Sequence, residues 1–139
     1  MHVRTGLRIR GMRGHREVRV ALIRYARWLR ARHEFPVSVP VYLLPGHTVR
    51  TVDGQTCSAS FFAPFDRSVE PYIRIATGDY PSTKRRIGRD NALAGFLNSL
   101  SHEIVHYFQW IANGSTSERG VIARAEAMVD SYAMDVDRP

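Results

Sequence analysis

The sequence predicts an α+β fold built as a single domain of 139 residues. Three observations predict this class. Apolar residues recur at helical spacing over residues 16–32 and again over residues 90–112. Between these segments, residues 37–76 contain short alternating runs separated by turn signals, which is typical of a small sheet. A third helical segment follows residue 114, and neither an internal repeat nor a second domain is evident.

The N-terminal helix is predicted over residues 16–32 and ends before Pro36. Its core-facing side carries Val18, Leu22, Tyr25 and Leu29. Residues 1–12 have no clear period, so we expect a flexible basic arm there.

Strand periodicity follows the first helix. The predicted strands cover residues 37–44, 49–52, 56–62 and 72–76. Asp53 and Gly54 form a hairpin turn signal between the second and third of these strands. Pro40 lacks an amide hydrogen, which indicates that the first strand is either an edge strand or an irregular strand. Residues 77–89 are predicted to form a polar loop, because glycine and proline interrupt them.

Two helices are predicted in the C-terminal part of the chain. The first begins near Asp90 and ends at Asn113–Gly114, a good helix stop. Residues 115–118 read Ser-Thr-Ser-Glu, which fits a capping box for a second helix running to about Met134. Both helices are long enough to cover one face of a small sheet.

The first of these helices contains the motif H-E-x-x-H, formed by His102, Glu103 and His106. Residues four apart share a helix face, so both imidazoles can point at one ion. Zinc is the ion that this motif usually binds, with the glutamate as general base. The sequence therefore predicts a Zn²⁺ cofactor and a zinc-bound water activated by Glu103.

The third zinc ligand is predicted to be Glu126, twenty residues after His106. Glu126 and Asp130 are four residues apart and share a helix face with apolar neighbours, where a carboxylate needs a partner. Asp130 would accept the N–H of a ligating imidazole and fix its orientation. Asp130 as the third ligand itself is the alternative.

H-E-x-x-H followed at this distance by E-x-x-x-D resembles the gluzincin group of zinc metallopeptidases. The resemblance extends from about Leu93 to Ala133, with Val129 standing where small members have alanine. It implies a zincin-like fold in which two histidines and the later glutamate bind zinc. It also implies that a strand beside the active-site helix, here residues 56–62, pairs with the bound peptide. Metzincins are disfavoured, because Gln109 and Ala112 stand where their pattern needs glycine and histidine.

The resemblance is to a minimal catalytic core, since only 13 residues follow Glu126. Larger members have a further helical lobe that supplies a histidine or tyrosine to the oxyanion. In this chain the oxyanion donor is expected to be Tyr132, and the alternatives are Tyr107, a strand or the loop over residues 77–89.

The net charge of +7 is unevenly distributed, because ten of the nineteen arginines lie in the first 32 residues. This region is interpreted as a solvated helix face, as a surface for nucleic acid or another acidic partner, or as a targeting segment. No apolar run approaches the roughly 18 residues of a membrane span. Cys57 is the single cysteine, which fits the reducing cytoplasm.

These patterns together predict a zinc metallopeptidase of the endopeptidase class that acts on a peptide or protein substrate. Two alternatives remain at this point. One is a catalytically silent zinc-binding module. The other is a nucleic-acid-associated protein that uses its arginine-rich N-terminal region.

Overall fold

The computed structural model describes residues 6–11, 13–136 and 139 and has the predicted α+β class. The helices are α1 (Arg16–Arg32), α2 (Tyr80–Ile87), α3 (Arg89–Asn113) and α4 (Val121–Asp135). The strands are β1 (Leu7–Arg10), β2 (Val39–Leu44), β3 (Val49–Arg50), β4 (Thr56–Cys57), β5 (Ala59–Phe62) and β6 (Tyr72–Ala76).

Four of the strands form one mixed sheet in the order β1-β2-β6-β5. The first three are parallel to one another, and β5 pairs antiparallel with β6 at the edge. Strands β3 and β4 form a separate antiparallel hairpin, which confirms the turn predicted at Asp53–Gly54. Val41 and Ile73 are fully buried register partners in the middle of the sheet.

Pro40 lies in the internal strand β2, so of the two positions predicted for it the edge position is wrong. Val39 donates its N–H to Gly6 on the β1 side, and the next residue therefore faces β6. Pairing of β2 with β6 begins only at Val41. Pro40 consequently stands just outside the β6 ladder, where a missing amide hydrogen removes no sheet hydrogen bond.

Two buried tyrosines attach α3 to the rest of the core. The Tyr25 hydroxyl of α1 lies 2.5 Å from Ser101 Oγ. The Tyr107 hydroxyl donates to the Val37 carbonyl at 2.6 Å and accepts the Val37 N–H at 3.0 Å. These contacts fix the rotation of α3 about its axis, and this rotation decides where its histidines point.

Two segments differ from the prediction. Within the expected flexible arm, Leu7–Arg10 is the strand β1, whose Leu7 is fully buried; residues 1–5 and 12 lie outside the described residues. The predicted loop over residues 77–89 contains the helix α2. Pro81 occupies the first turn of α2, where no helical N–H is required, and Gly88 ends the helix at a φ of 89°.

Among the described residues, no helix combines the length and the apolar character that crossing a membrane requires.

Candidate metal centre

Helix α3 presents His102 and His106 on one face and buries the opposite face. Leu97, Leu100 and Ile104 are at most 1% exposed, and they hold α3 against the core. The two imidazole rings have centroids 5.1 Å apart. The 3.6-residue period places the two histidines on one face of α3. The buried apolar face holds this helix in place.

Glu118 completes the group from the segment between α3 and α4. Its Oε1 lies 2.8 Å from His106 Nε2, and its Oε2 lies 3.1 Å from His102 Nε2. One ligand atom from each of the three residues lies within 4.8 Å of the others, and this is the one such group of metal-ligating side chains in the described part of the chain. The Glu118 side chain is 74% exposed, while His106 is 7% exposed.

The amide of Gln109 determines which nitrogen of His106 carries a proton. Ser117 donates its N–H to Gln109 Oε1 at 3.0 Å, and Gln109 Nε2 donates to the Ser117 carbonyl at 3.0 Å. Oε1 is thus an acceptor, so His106 Nδ1, 3.0 Å away, must donate to it. The neutral ring then has its lone pair on Nε2, directed at the Glu118 carboxylate.

Two acceptors that face each other at 2.8 Å need a cation between them, either a proton or a metal ion. Two imidazoles and one carboxylate are a typical zinc donor set, which leaves a fourth position open. Ligand atoms that share one tetrahedral zinc lie roughly 3.3 Å apart, given bonds of about 2.0–2.1 Å. The two separations between imidazole and carboxylate, 2.8 and 3.1 Å, are shorter than this value, and all three ligand atoms lie within 4.8 Å of one another. The donor set therefore fits zinc after small shifts of the side chains.

Glu103 lines the same cleft, which has a volume of about 310 Å³. The residue is 6% exposed, and burial raises the pKa of Glu103 to about 7, with smaller opposing effects of the neighbouring His106 and Glu118. The opposite wall includes Ser58 and Ala59, at the start of the edge strand β5. The cleft therefore runs between the motif helix and a sheet edge.

The other predicted site residues do not join this group. Glu126 and Asp130 lie on the exposed side of α4. Tyr132 is 3% exposed, and its ring packs against Tyr25 and Trp28, with centroids 4.8 and 5.3 Å away. The burial of Tyr132 against α1 turns α4 so that its two carboxylates point away from the histidines. The structure thus brings Glu118, and not Glu126, to the motif.

The sequence pattern that includes Glu118 predicts a capping role for this residue and not a ligand role. Ser115–Glu118 fits a capping box, but α4 begins at Val121 after Gly120, and no side chain caps it. Glu118 is therefore free of a capping role and instead contacts both histidines.

Comparison of the chain with known protein families, with curated proteins and with solved structures found no match. The chemistry of the cleft is accordingly the basis for the functional argument.

Proposed function

We propose that this chain is a zinc-dependent metallopeptidase with His102, His106 and Glu118 as its metal ligands. The observation that carries the proposal is the convergence of two imidazole Nε2 atoms on one carboxylate at 2.8 and 3.1 Å. Zinc bound there would supply a Lewis acid that polarises a substrate carbonyl. In this proposal Glu118 takes the role that the sequence assigned to Glu126.

Glu103 acts as the general base in the proposed reaction. Its carboxylate lines the cleft beside the ligands, so it can take a proton from the attacking water and return it to the leaving amine. The Glu103 side chain is 6% exposed, so bulk water has little access to its carboxylate. A positioned general base of this kind contributes typically about 10²–10⁴-fold to a rate.

A peptide is the favoured substrate because an edge strand borders the cleft. Strand β5 pairs with β6 on one side, and its other side is unpaired within the described sheet. An extended peptide can add to such an edge through main-chain hydrogen bonds, which brings its carbonyl groups alongside the ligands. Ala59 and Ser58 are small, so a main chain can approach that wall closely.

The test combines metal content with turnover in one matched pair of proteins. After dialysis against metal-free buffer, elemental mass spectrometry should find about one zinc per chain in the parent and in Glu103→Gln. Incubation with a peptide library should give cleavage products only with the parent. Cleavage by Glu103→Gln at the parent rate contradicts the role of Glu103. Tightly held zinc without cleavage in either protein supports the alternative of a silent zinc-binding module.

The lone Cys57 is compatible with a reducing compartment, and we place the proposed activity in the cytoplasm.

A further inference from the structure

A basic face covers the outer side of α1 and the adjacent strand β1. It consists of Arg8, Arg10, Arg16, Arg19, Arg24, Arg27 and Arg30. Six of these arginines are exposed and Arg19 is half-buried. The one carboxylate of α1 is Glu17, which pairs with Lys84 and Arg89. Beside β1, Glu70 lines a cavity with Arg8 and Arg10 but forms no ion pair with them in the described structure.

The two elements of the basic face are joined directly. Helix α1 buries the stripe around Leu22 and Tyr25, so its arginines project outward. Arg30 Nη1 donates to the Leu7 carbonyl at 2.9 Å and so attaches the end of α1 to β1. A groove of about 490 Å³ follows this junction, with Arg8 on one wall and Ile23 on the other. The arginines of β1 and α1 therefore form one continuous surface.

The charge of the basic face is not neutralised within the described residues. Glu17 accepts hydrogen bonds from Lys84 at 2.9 Å, Arg89 at 3.2 Å and Tyr80 at 2.9 Å. Its negative charge is therefore paired with these groups at the N-terminal end of α1. Every ion pair found in the described ranges involves residues outside the basic face. Seven like charges on one side of a small domain create a strong local potential that attracts an anionic partner.

We propose that the basic face binds the phosphate backbone of duplex DNA without sequence specificity. Helix α1 has 17 residues and is therefore about 25 Å long, comparable to seven base pairs of a duplex. Its arginines present planar forks that suit phosphate oxygens. This surface is separate from the metal cleft, so it adds a binding function that does not depend on zinc.

Other anionic partners fit the basic face less well. Binding in a lipid interface needs large apolar residues beside the charges, and here Val20 and Ile23 are only 44% and 39% exposed. Binding of single strands relies on successive aromatic platforms for stacked bases. Tyr42 lines a cavity beside Arg8, but it packs edge-on against Tyr72, and the exposed residues of α1 include no aromatic residue. A duplex needs neither, since its backbone contacts are electrostatic.

The test is fluorescence anisotropy of a labelled 20-base-pair duplex of arbitrary sequence, titrated with the full chain from 50 to 200 mM salt. If about five phosphates are contacted, the logarithm of the affinity should fall with a slope of about −4.5 against the logarithm of the salt concentration. That slope corresponds to a loss of roughly 500-fold over the range.

The decisive comparison uses two triple variants with the same net charge. The first, Arg16→Gln/Arg24→Gln/Arg27→Gln, alters only the basic face. The second, Arg50→Gln/Arg119→Gln/Arg124→Gln, alters exposed arginines elsewhere. The first should weaken binding at least tenfold and reduce the slope by about 2.7, while the second should change the affinity less than threefold.

Equal weakening by both triple variants would mean that net charge alone attracts DNA, and it would overturn the proposal. Tighter binding to a single strand, or to vesicles of phosphatidylserine than to the duplex, would also overturn it. If circular dichroism shows that the first triple variant is unfolded, Arg27→Gln alone should still reduce the slope by about 0.9. An unchanged slope in that single variant would again contradict the proposal that the basic face binds duplex DNA.

Discussion

Replacing Gln109 by leucine should weaken zinc binding although Gln109 is not a proposed ligand. The substitution keeps the size of the side chain and removes three hydrogen bonds at 3.0 Å, one to His106 and two to Ser117. The first of these bonds sets the tautomer of His106. The other two hold the backbone next to Glu118.

The expected magnitude follows from these contacts. Loss of an outer hydrogen bond to a metal-ligating histidine typically costs about 10–100-fold in metal affinity. The two Ser117 bonds add to this, since without them the 74% exposed Glu118 side chain must be ordered by the metal itself. We therefore expect a loss near the upper end, about 100-fold. Three hydrogen bonds at about 0.5–1.5 kcal/mol each, partly exposed, also predict a destabilisation of about 1–3 kcal/mol.

The assay is competition for zinc with a chromophoric chelator, together with urea unfolding in the absence of metal. Gln55→Leu is the matched control, because Gln55 is the other glutamine of the chain and lies in the exposed β3–β4 turn. Gln109→Glu should recover part of the affinity, since its Oε1 can still accept from His106 and Ser117. In a Glu118→Gln background the Gln109→Leu penalty should shrink, because part of its effect acts through Glu118.

The prediction for Gln109 is contradicted if Gln109→Leu binds zinc as tightly as the parent while Glu118→Gln binds it more weakly. That outcome would leave Glu118 as a ligand and remove the positioning role of Gln109. If Gln109→Leu lowers zinc affinity by the same factor in the parent and in Glu118→Gln, Gln109 acts only by orienting His106.

Three further predictions follow from single contacts. Glu118→Gln should lower zinc affinity by more than tenfold and Glu126→Gln by less than threefold, measured by the same competition; the reverse order would restore the ligand set predicted from the sequence. Tyr107→Phe removes both hydrogen bonds to Val37 and should lower the free energy of unfolding by about 1–3 kcal/mol in urea, and an unchanged midpoint would contradict this coupling. Zinc at 100 times its dissociation constant stabilises the zinc-bound fold by about 2.7 kcal/mol, so tryptic cleavage after Arg119 should slow up to about 100-fold. Equal cleavage rates with and without zinc would argue against Glu118 as a ligand.

The sequence predicted the elements whose signals are local. Helix α3 was predicted within one residue at each end, because apolar periodicity and the Asn113–Gly114 stop agree. The cap expected at Asp90 or Asn91 is wrong, since Gly88 precedes the helix and no side chain caps it. The histidine pair follows from the same period. A strand beside α3 was expected over residues 56–62. The structure divides this segment into β4, which pairs with β3, and β5, which lies at the edge of the main sheet.

The missed elements depend on contacts that are distant in sequence. Strand β1 has only four residues, and it is a strand because Leu7–Arg10 pairs with β2 some thirty residues later. Helix α2 was missed because Pro81 and Gly88 were interpreted as loop signals, whereas they stand at the start and the end of a short helix. A local pattern does not distinguish these uses of proline and glycine.

The third ligand could not be chosen from spacing alone. Both Glu118 and Glu126 can follow an H-E-x-x-H helix, and the choice depends on the rotation of α4. That rotation is set by Tyr132 packing between Tyr25 and Trp28, contacts that span about 100 residues. Sequence spacing therefore restricted the candidates, and tertiary packing selected among them.

The candidate centre combines a rigid half with an adjustable half. His102 and His106 are fixed by the buried face of α3, so their positions hardly depend on bound metal. Glu118 lies instead in the segment between α3 and α4, where Gln109 holds its main-chain neighbour Ser117 through two hydrogen bonds. Because ordering a loop residue costs roughly 1–2 kcal/mol, each residue that Gln109 holds in advance improves metal affinity. The affinity of the centre is thus governed by the order of residues 114–120 more than by the histidines that define the motif.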